Sequence, residues 1–147
     1  MKVTRSDYLS LAAFRYEIRK FLAFSEQAAR AAGLEPQQHQ MLLAILGLPE
    51  GVRPTIGAVA ERLCVQHHTT VALADKLEAL GMVRRHRAED DRRQVFLVLT
   101  ERAAEVLEEL SAAHRTQLRK VGPQMVDALA AILDDRRQRP LARGRER

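Results

Sequence analysis

Residues 55–100 read TIGAVAERLCVQHHTTVALADKLEALGMVRRHRAEDDRRQVFLVLT. Thr55 is a good N-cap for a short helix, Ile56 to Leu63. Cys64-Val65-Gln66 then connects it to a second helix from about His67 to Leu80. That helix sets Val71, Ala74, Leu77 and Leu80 on one face. Gly81 stands where a left-handed C-terminal residue is wanted. Two short helices joined by about three residues, the second amphipathic and polar at its start, describe a helix-turn-helix. Met82 to Arg87 and Gln94 to Leu99 then read as two strands around the polar tip 88–93. A hairpin directly after a helix-turn-helix is a wing.

Upstream, residues 7–32 read as one long helix. Leu11, Phe14, Ile18, Phe21, Ser25 and Ala28 recur at spacings of three and four, widened by Tyr8 and Leu22. Gly33 stops it. Some 25 residues make a helix of about 37 Å, longer than a small core needs. Its narrow seam therefore suggests packing against a partner chain as well as local packing. Pro36 opens another helix, which Gly47 ends. Downstream, Thr100 caps a helix with Ala103, Val106, Leu107, Leu110 and Leu118 on its apolar side. Gly122-Pro123 is expected to break the chain before a sixth helix bearing Val126, Leu129, Ile132 and Leu133. The fold class expected is mainly α, a winged helix-turn-helix with one long N-terminal and two C-terminal helices.

The chain has 147 residues, 24 Lys plus Arg against 19 Asp plus Glu, and a net charge of +5. Six Arg and one Glu fall in 136–147, so this segment carries the whole net charge and the rest sums to zero. That tail lacks periodicity and is expected to be disordered. Net charge alone is thus weak evidence for what the body binds. One cysteine excludes an internal disulfide framework. No apolar run approaches the roughly 20 residues of a membrane span. A cytoplasmic location follows as the expectation.

Over residues 7–135, and most strongly over 55–100, the chain resembles the MarR family of winged-helix regulators. The carrying stretches are TIGAVAERL, VQHHTTVALADKLEALGMVRR and AEDDRRQVFLVLT, with Asp91-Arg92-Arg93 similar to the family's wing signature. The resemblance implies an obligate homodimer. Residues 1–35 and 101–135 would form its dimerisation part, and 36–100 the DNA-binding part. It also implies that Asp91 orients Arg93, and that a pocket between the two parts takes small aromatic or phenolic anions. Candidate lining residues are Phe14, Arg15, Ile18, His39, Leu43 and His114, which serve equally well as packing residues.

Reading DNA needs donors and acceptors at the exposed start of one helix. Gln66, His67, His68, Thr69 and Thr70 supply them. Lys76 lies further along and suits a phosphate. Arg92 and Arg93 at the wing tip suit a narrow, electronegative minor groove. Arg84 and Arg85 either anchor the base of the wing or touch phosphate. Residues 84–93 hold five Arg against three acids.

Cys64 invites a redox reading, as some family members sense peroxides. Their sensing cysteine lies in the N-terminal dimerisation region, whereas Cys64 falls inside the helix-turn-helix, where a small buried apolar residue is the plainer reading. His67 and His68 diverge by about 100° and cannot chelate together. His39 and His114 lack a clear third ligand. No metal or cofactor is therefore expected. No glycine-rich phosphate loop, GxSxG, HExxH or CxxC is present, so no enzyme is expected.

The expected function is a sequence-specific regulator of double-stranded DNA. It would be a repressor binding a palindromic operator as a homodimer, with no membrane role. The alternatives are a winged-helix protein-interaction module and a Cys64-based redox regulator.

Overall fold

The computed structural model describes residues 2–134; the arginine-rich 136–147 lies outside the described residues. The elements are α1 (Arg5–Ala31), α2 (Pro36–Leu46), α3 (Ile56–Leu63), α4 (His67–Ala79), β1 (Val83–Arg87), β2 (Val95–Leu99) and α5 (Glu101–Leu133). The chain divides into two compact units, one of residues 25–114 and one of 1–24 with the segment from 115 onward.

Every helix start except that of α4 carries a side-chain device. Thr4 and Asp7 form a reciprocal pair before α1. The Thr4 N–H donates to Asp7 Oδ2 at 2.7 Å, and the Asp7 N–H donates to Thr4 Oγ1 at 3.3 Å. These bonds from Thr4, backbone first, hold the Asp7 carboxyl below the usual carboxylate range. Glu35 and Gln38 form a capping box on α2, with Pro36 in its first turn. Thr55 accepts from the Ala58 N–H at 3.2 Å, as expected for the cap of α3. Thr100 accepts from the Ala103 N–H at 3.2 Å and donates to Gly81 O at 2.8 Å. One hydroxyl thus starts α5 and holds the turn that ends α4. Gly81 sits at φ 70°, the left-handed conformation its position was expected to need.

In the unit of residues 25–114 the core joins every element. Met41, Leu42 and Ile45 of α2 meet Val59 of α3, and Leu73, Ala74 and Leu77 of α4. Leu97 of β2 and Ala103, Leu107 and Leu110 of α5 complete it. The strands are antiparallel, with Val83 opposite Leu99, Arg85 opposite Leu97 and Arg87 opposite Val95. Leu97 is fully buried, and its N–H donates to Pro54 O at 2.8 Å. With a bridge between Thr55 and Phe96, the residues before α3 act as a short third strand.

In the other unit, Tyr8, Leu9, Leu11, Tyr16 and Leu22 of α1 expose large apolar surface, as do Leu118, Val126, Leu129 and Leu133 of α5.

Two expectations are corrected. Gly122-Pro123 does not break the chain; α5 is one helix of 33 residues with Pro123 inside it, so the described residues form five helices where six were expected. A proline removes one backbone donor and need not end a helix if the freed carbonyls find partners. The carbonyl left without its donor is that of Arg119, and the Gln124 side-chain nitrogen adds bonds to the next two, Val121 O at 3.0 Å and Lys120 O at 3.2 Å, in its satisfied orientation. The inward face of α4 is Thr70, Leu73, Ala74 and Leu77, and Leu80 is exposed.

Leu97→Ala is expected to cost about 2–5 kcal/mol, because the buried side chain leaves a cavity where the wing joins the core. Urea unfolding measures this; a loss under about 1 kcal/mol would show that the wing is not fastened through Leu97.

Candidate nucleic-acid interface

With Thr70, Leu73, Ala74 and Leu77 turned inward, the helical step of about 100° per residue sets the outward line of α4. That line is His68, Ala72, Asp75 and Ala79, all exposed. Gln66 is the N-cap, and its side chain makes no capping hydrogen bond. Gln66, His67 and His68 are exposed and Thr69 is half-buried. The expected polar start of the reading helix is therefore on the surface, with one correction. Thr70 is completely buried, and its hydroxyl donates back to Gln66 O at 3.3 Å. It is a core residue and presents nothing to a ligand. Lys76 lies on the flank of α4, where with Leu73 it lines a cleft of about 440 Å³ against Glu35–Gln38. It stands off the outward line, consistent with a phosphate contact and not with base reading.

The hairpin register separates the arginines of the wing. Arg85 pairs with Leu97 and points to the α4 side. There it binds Asp75 at 2.6 Å and Glu78 at 3.2 Å. Arg85 thus ties the base of the wing to α4. Arg85 also offsets half of the charge of two carboxylates that would otherwise repel phosphate. Arg84 and Arg87 are exposed and make no ion pair among the described residues. Arg87 was not singled out from sequence; its strand position opposite Val95 was the available signal.

At the tip, Asp91 Oδ1 accepts from the Arg93 backbone N–H at 3.0 Å, while the Arg93 guanidinium nitrogen Nε is 4.0 Å away. Asp91 thus shapes the turn more firmly than it holds the guanidinium. Arg92 and Arg93 are exposed, and 96% of the Arg93 side chain is accessible. Arg93, Gln94 and Val95 face Thr55, Ile56, Gly57 and His67 across a cleft of about 260 Å³. This cleft brings a wing arginine and the first residue of α4 to one site.

Sequence reasoning missed Arg53. Both of its terminal nitrogens bind the Asp90 carboxylate, one of them at 3.0 Å, and the same nitrogen reaches Gln94 Oε1 at 3.2 Å. Its guanidinium lies 5.5 Å from the centre of the Phe96 ring. Arg53 holds the Asp90 carboxyl below the usual carboxylate range, chiefly through that hydrogen bond. Partners 37 residues apart leave no local pattern to read.

Cys64 is exposed and adopts φ 54° at the end of α3, which corrects the reading of a buried apolar residue. A non-glycine residue in this conformation closes the helix and turns the chain toward α4.

Of the six pocket candidates, the structure brings His39 and His114 together, their ring centres 5.0 Å apart. His114 donates from Nδ1 to Leu110 O at 2.6 Å, and its Nε2 accepts from the buried Ser25 hydroxyl at 2.8 Å. Leu43 instead lines a separate cleft of about 400 Å³ with Gln40, Ala44, Gly47, Arg62 and Leu63. Phe14 and Ile18 are half-buried and Arg15 exposed, in the other unit. Among the described residues, no group of three or more His, Cys, Asp or Glu is placed to hold a metal ion.

Residues 32–94 match the model of the MarR family. A comparison with curated proteins finds no match. The chain resembles the solved structure of AbsC, a MarR family transcriptional regulator from Streptomyces coelicolor. The TM-score is 0.71 at 20% identity, over 95% of this chain and 99% of that one. It resembles a MepR variant from S. aureus bound to an oligodeoxyribonucleotide, with a TM-score of 0.63 at 19% identity, over 91% and 99% of the two chains. It also resembles CouR from Rhodococcus jostii bound to p-coumaroyl-CoA, with a TM-score of 0.59 at 25% identity, over 77% and 83%.

Burial, then the neighbouring His114, holds the His39 imidazole below its ordinary range. The unfolded chain keeps the ordinary value near pH 6.5, so below that pH it binds more protons than the folded protein. Stability is therefore full above about pH 6.5 and falls as the pH drops through the lowered value. Urea unfolding from about pH 7.5 to about pH 5 is expected to show this decline, flattened in His39→Gln; an equal slope in the variant would place its source elsewhere.

Proposed function

We propose that this chain, whose winged helix is of the MarR family, is a homodimeric repressor that reads a palindromic operator in double-stranded DNA. The observation that carries this reading is the cleft in which His67 at the start of α4 faces Arg93 of the wing. A recognition helix and an adjacent wing can engage a major groove and its neighbouring minor groove together. Gln66, His67, His68 and Thr69 would meet base edges, Ala72 leaving room for close approach. Arg92 and Arg93 would enter the minor groove, where a narrow width concentrates negative potential. Arg84 and Lys76 would take phosphates.

The homodimer is supported by the large apolar side chains that α1 and α5 expose. Two-fold symmetry then calls for two half-sites about one helical turn apart, roughly 34–36 Å. Release by a small aromatic or phenolic effector is part of the same reading, as an effector must bind one spacing of the two reading heads more tightly than another. CouR, solved with p-coumaroyl-CoA, supports that choice of ligand class. No helix among the described residues is long and apolar enough to cross a membrane. A cytoplasmic site of action agrees with this, and the function needs no catalysis.

Fluorescence anisotropy with the DNA upstream of the chain's own coding region is expected to give saturable binding that weakens steeply with salt. Arg93→Ala should weaken it by about 1–3 kcal/mol while leaving the dimer folded. Absence of sequence preference at every salt concentration would favour a protein-interaction module instead.

A further inference from the structure

We infer that Arg53 is a positioning residue for DNA reading, a clamp that fixes the wing tip so that Arg92 and Arg93 act from a set height. The inference rests on the DNA-binding reading above and concerns how the wing is held. Arg53 lies in the connection between α2 and α3, outside the hairpin. The hydrogen bonds within the tip are local. Ala88 N–H donates to Gln94 O at 3.0 Å, Gln94 N–H to Asp91 O at 3.0 Å, and Arg93 N–H to Asp91 Oδ1 at 3.0 Å. A two-stranded hairpin held only by its own bonds is marginal in water. Below the tip, Leu97 fastens the strands to Pro54. Among the described residues, Arg53 is the one side chain from outside the hairpin that hydrogen-bonds residues 88–94.

Its attachments converge from both limbs of the turn. Asp90 lies before the tip arginines, and Gln94 and Phe96 lie after them. The carboxylate takes both terminal nitrogens, Gln94 shares one, and the Phe96 ring lies 5.5 Å from the guanidinium. A planar guanidinium can hold a carboxylate on two nitrogens and still face an aromatic ring; an ammonium cannot. The same pairing removes the charge of Asp90, three residues from Arg93, where a free carboxylate would oppose phosphate.

A clamp and a direct phosphate contact predict opposite effects of Asp90. If Arg53 is a clamp, Asp90→Asn weakens DNA binding as Arg53→Ala does, and the double variant is no weaker than either. The expected loss is roughly three- to fivefold, the upper range for an exposed pair of good geometry. Arg53→Lys should recover only part of it, and the exchange Arg53→Asp with Asp90→Arg should recover more than either single change. Hydrogen exchange at the Ala88 and Gln94 amides, measured without DNA, should quicken in Arg53→Ala while the midpoint of global unfolding stays put. Tighter DNA binding by Asp90→Asn, or unchanged exchange at the tip, would overturn the clamp. Wild-type protein that binds no DNA, with tip exchange still quickened in Arg53→Ala, would overturn the DNA-binding reading and leave the clamp standing.

Discussion

The register of the β1–β2 hairpin is the constraint on which the candidate interface depends. Side chains alternate along a strand, so one register puts Val83, Arg85, Leu97 and Leu99 on one face and Arg84, His86, Phe96 and Val98 on the other. The first face closes the core with Leu97 and sends Arg85 to the carboxylates of α4. The second presents Phe96 to Arg53. A slip of one residue would exchange the faces, exposing Leu97 and burying Val98. It would also remove the acid partners of Arg85 and the ring beneath Arg53. The Leu97 N–H bond to Pro54 and the burial of the Leu97 side chain oppose that slip together.

Threonines at two junctions carry this order into the helices. Thr55 caps α3 and bridges to Phe96, so the start of the first helix of the helix-turn-helix is tied to the wing. Thr100 caps α5 and bonds Gly81 O, so the end of β2 is tied to the end of α4. Each replaces a helix-end vacancy with a bond that also joins two elements. α4 is thereby held at its C-terminal end and along its inner face, while its outer line stays free of packing duties. Rigid support of an unpacked surface is what a site for another macromolecule requires.

What was legible in the sequence follows the range of the forces involved. Local chemistry gave α3, the Cys64-Val65-Gln66 connection, both strands and the Gly81 turn, because caps, turns and periodicity act over a few residues. Long-range pairing stayed hidden. Arg53 looks like any loop arginine until Asp90 is folded against it. Thr70 looks like its neighbour Thr69, and only the packing of α4 against the core buries one and leaves the other half-exposed. Cys64 was read as apolar filling, when the position instead requires a left-handed backbone at the surface. Pro123 was weighed by its local penalty alone, while its helix continues through it.

Charge is the case in which counting residues hides the pairing. The described body is close to neutral by composition, yet its acids near the candidate interface are not equally available. Asp75 and Glu78 are occupied by Arg85, and Asp90 by Arg53, at hydrogen-bonding distance. Separations that short are far inside the screening length of roughly 8–10 Å at physiological salt, so an approaching polyanion meets Arg53–Asp90 as a dipole, while Arg85 leaves one negative charge on the Asp75–Glu78 pair. Arg84, Arg87 and Arg92 have no such partner among the described residues, and Arg93 has only the distant edge of Asp91. With Asp90 taken by Arg53 and Arg85 taken by α4, Arg84, Arg87, Arg92 and Arg93 stand against Glu89 and Asp91, so the wing keeps the same excess of two positive charges that its five arginines and three acids give.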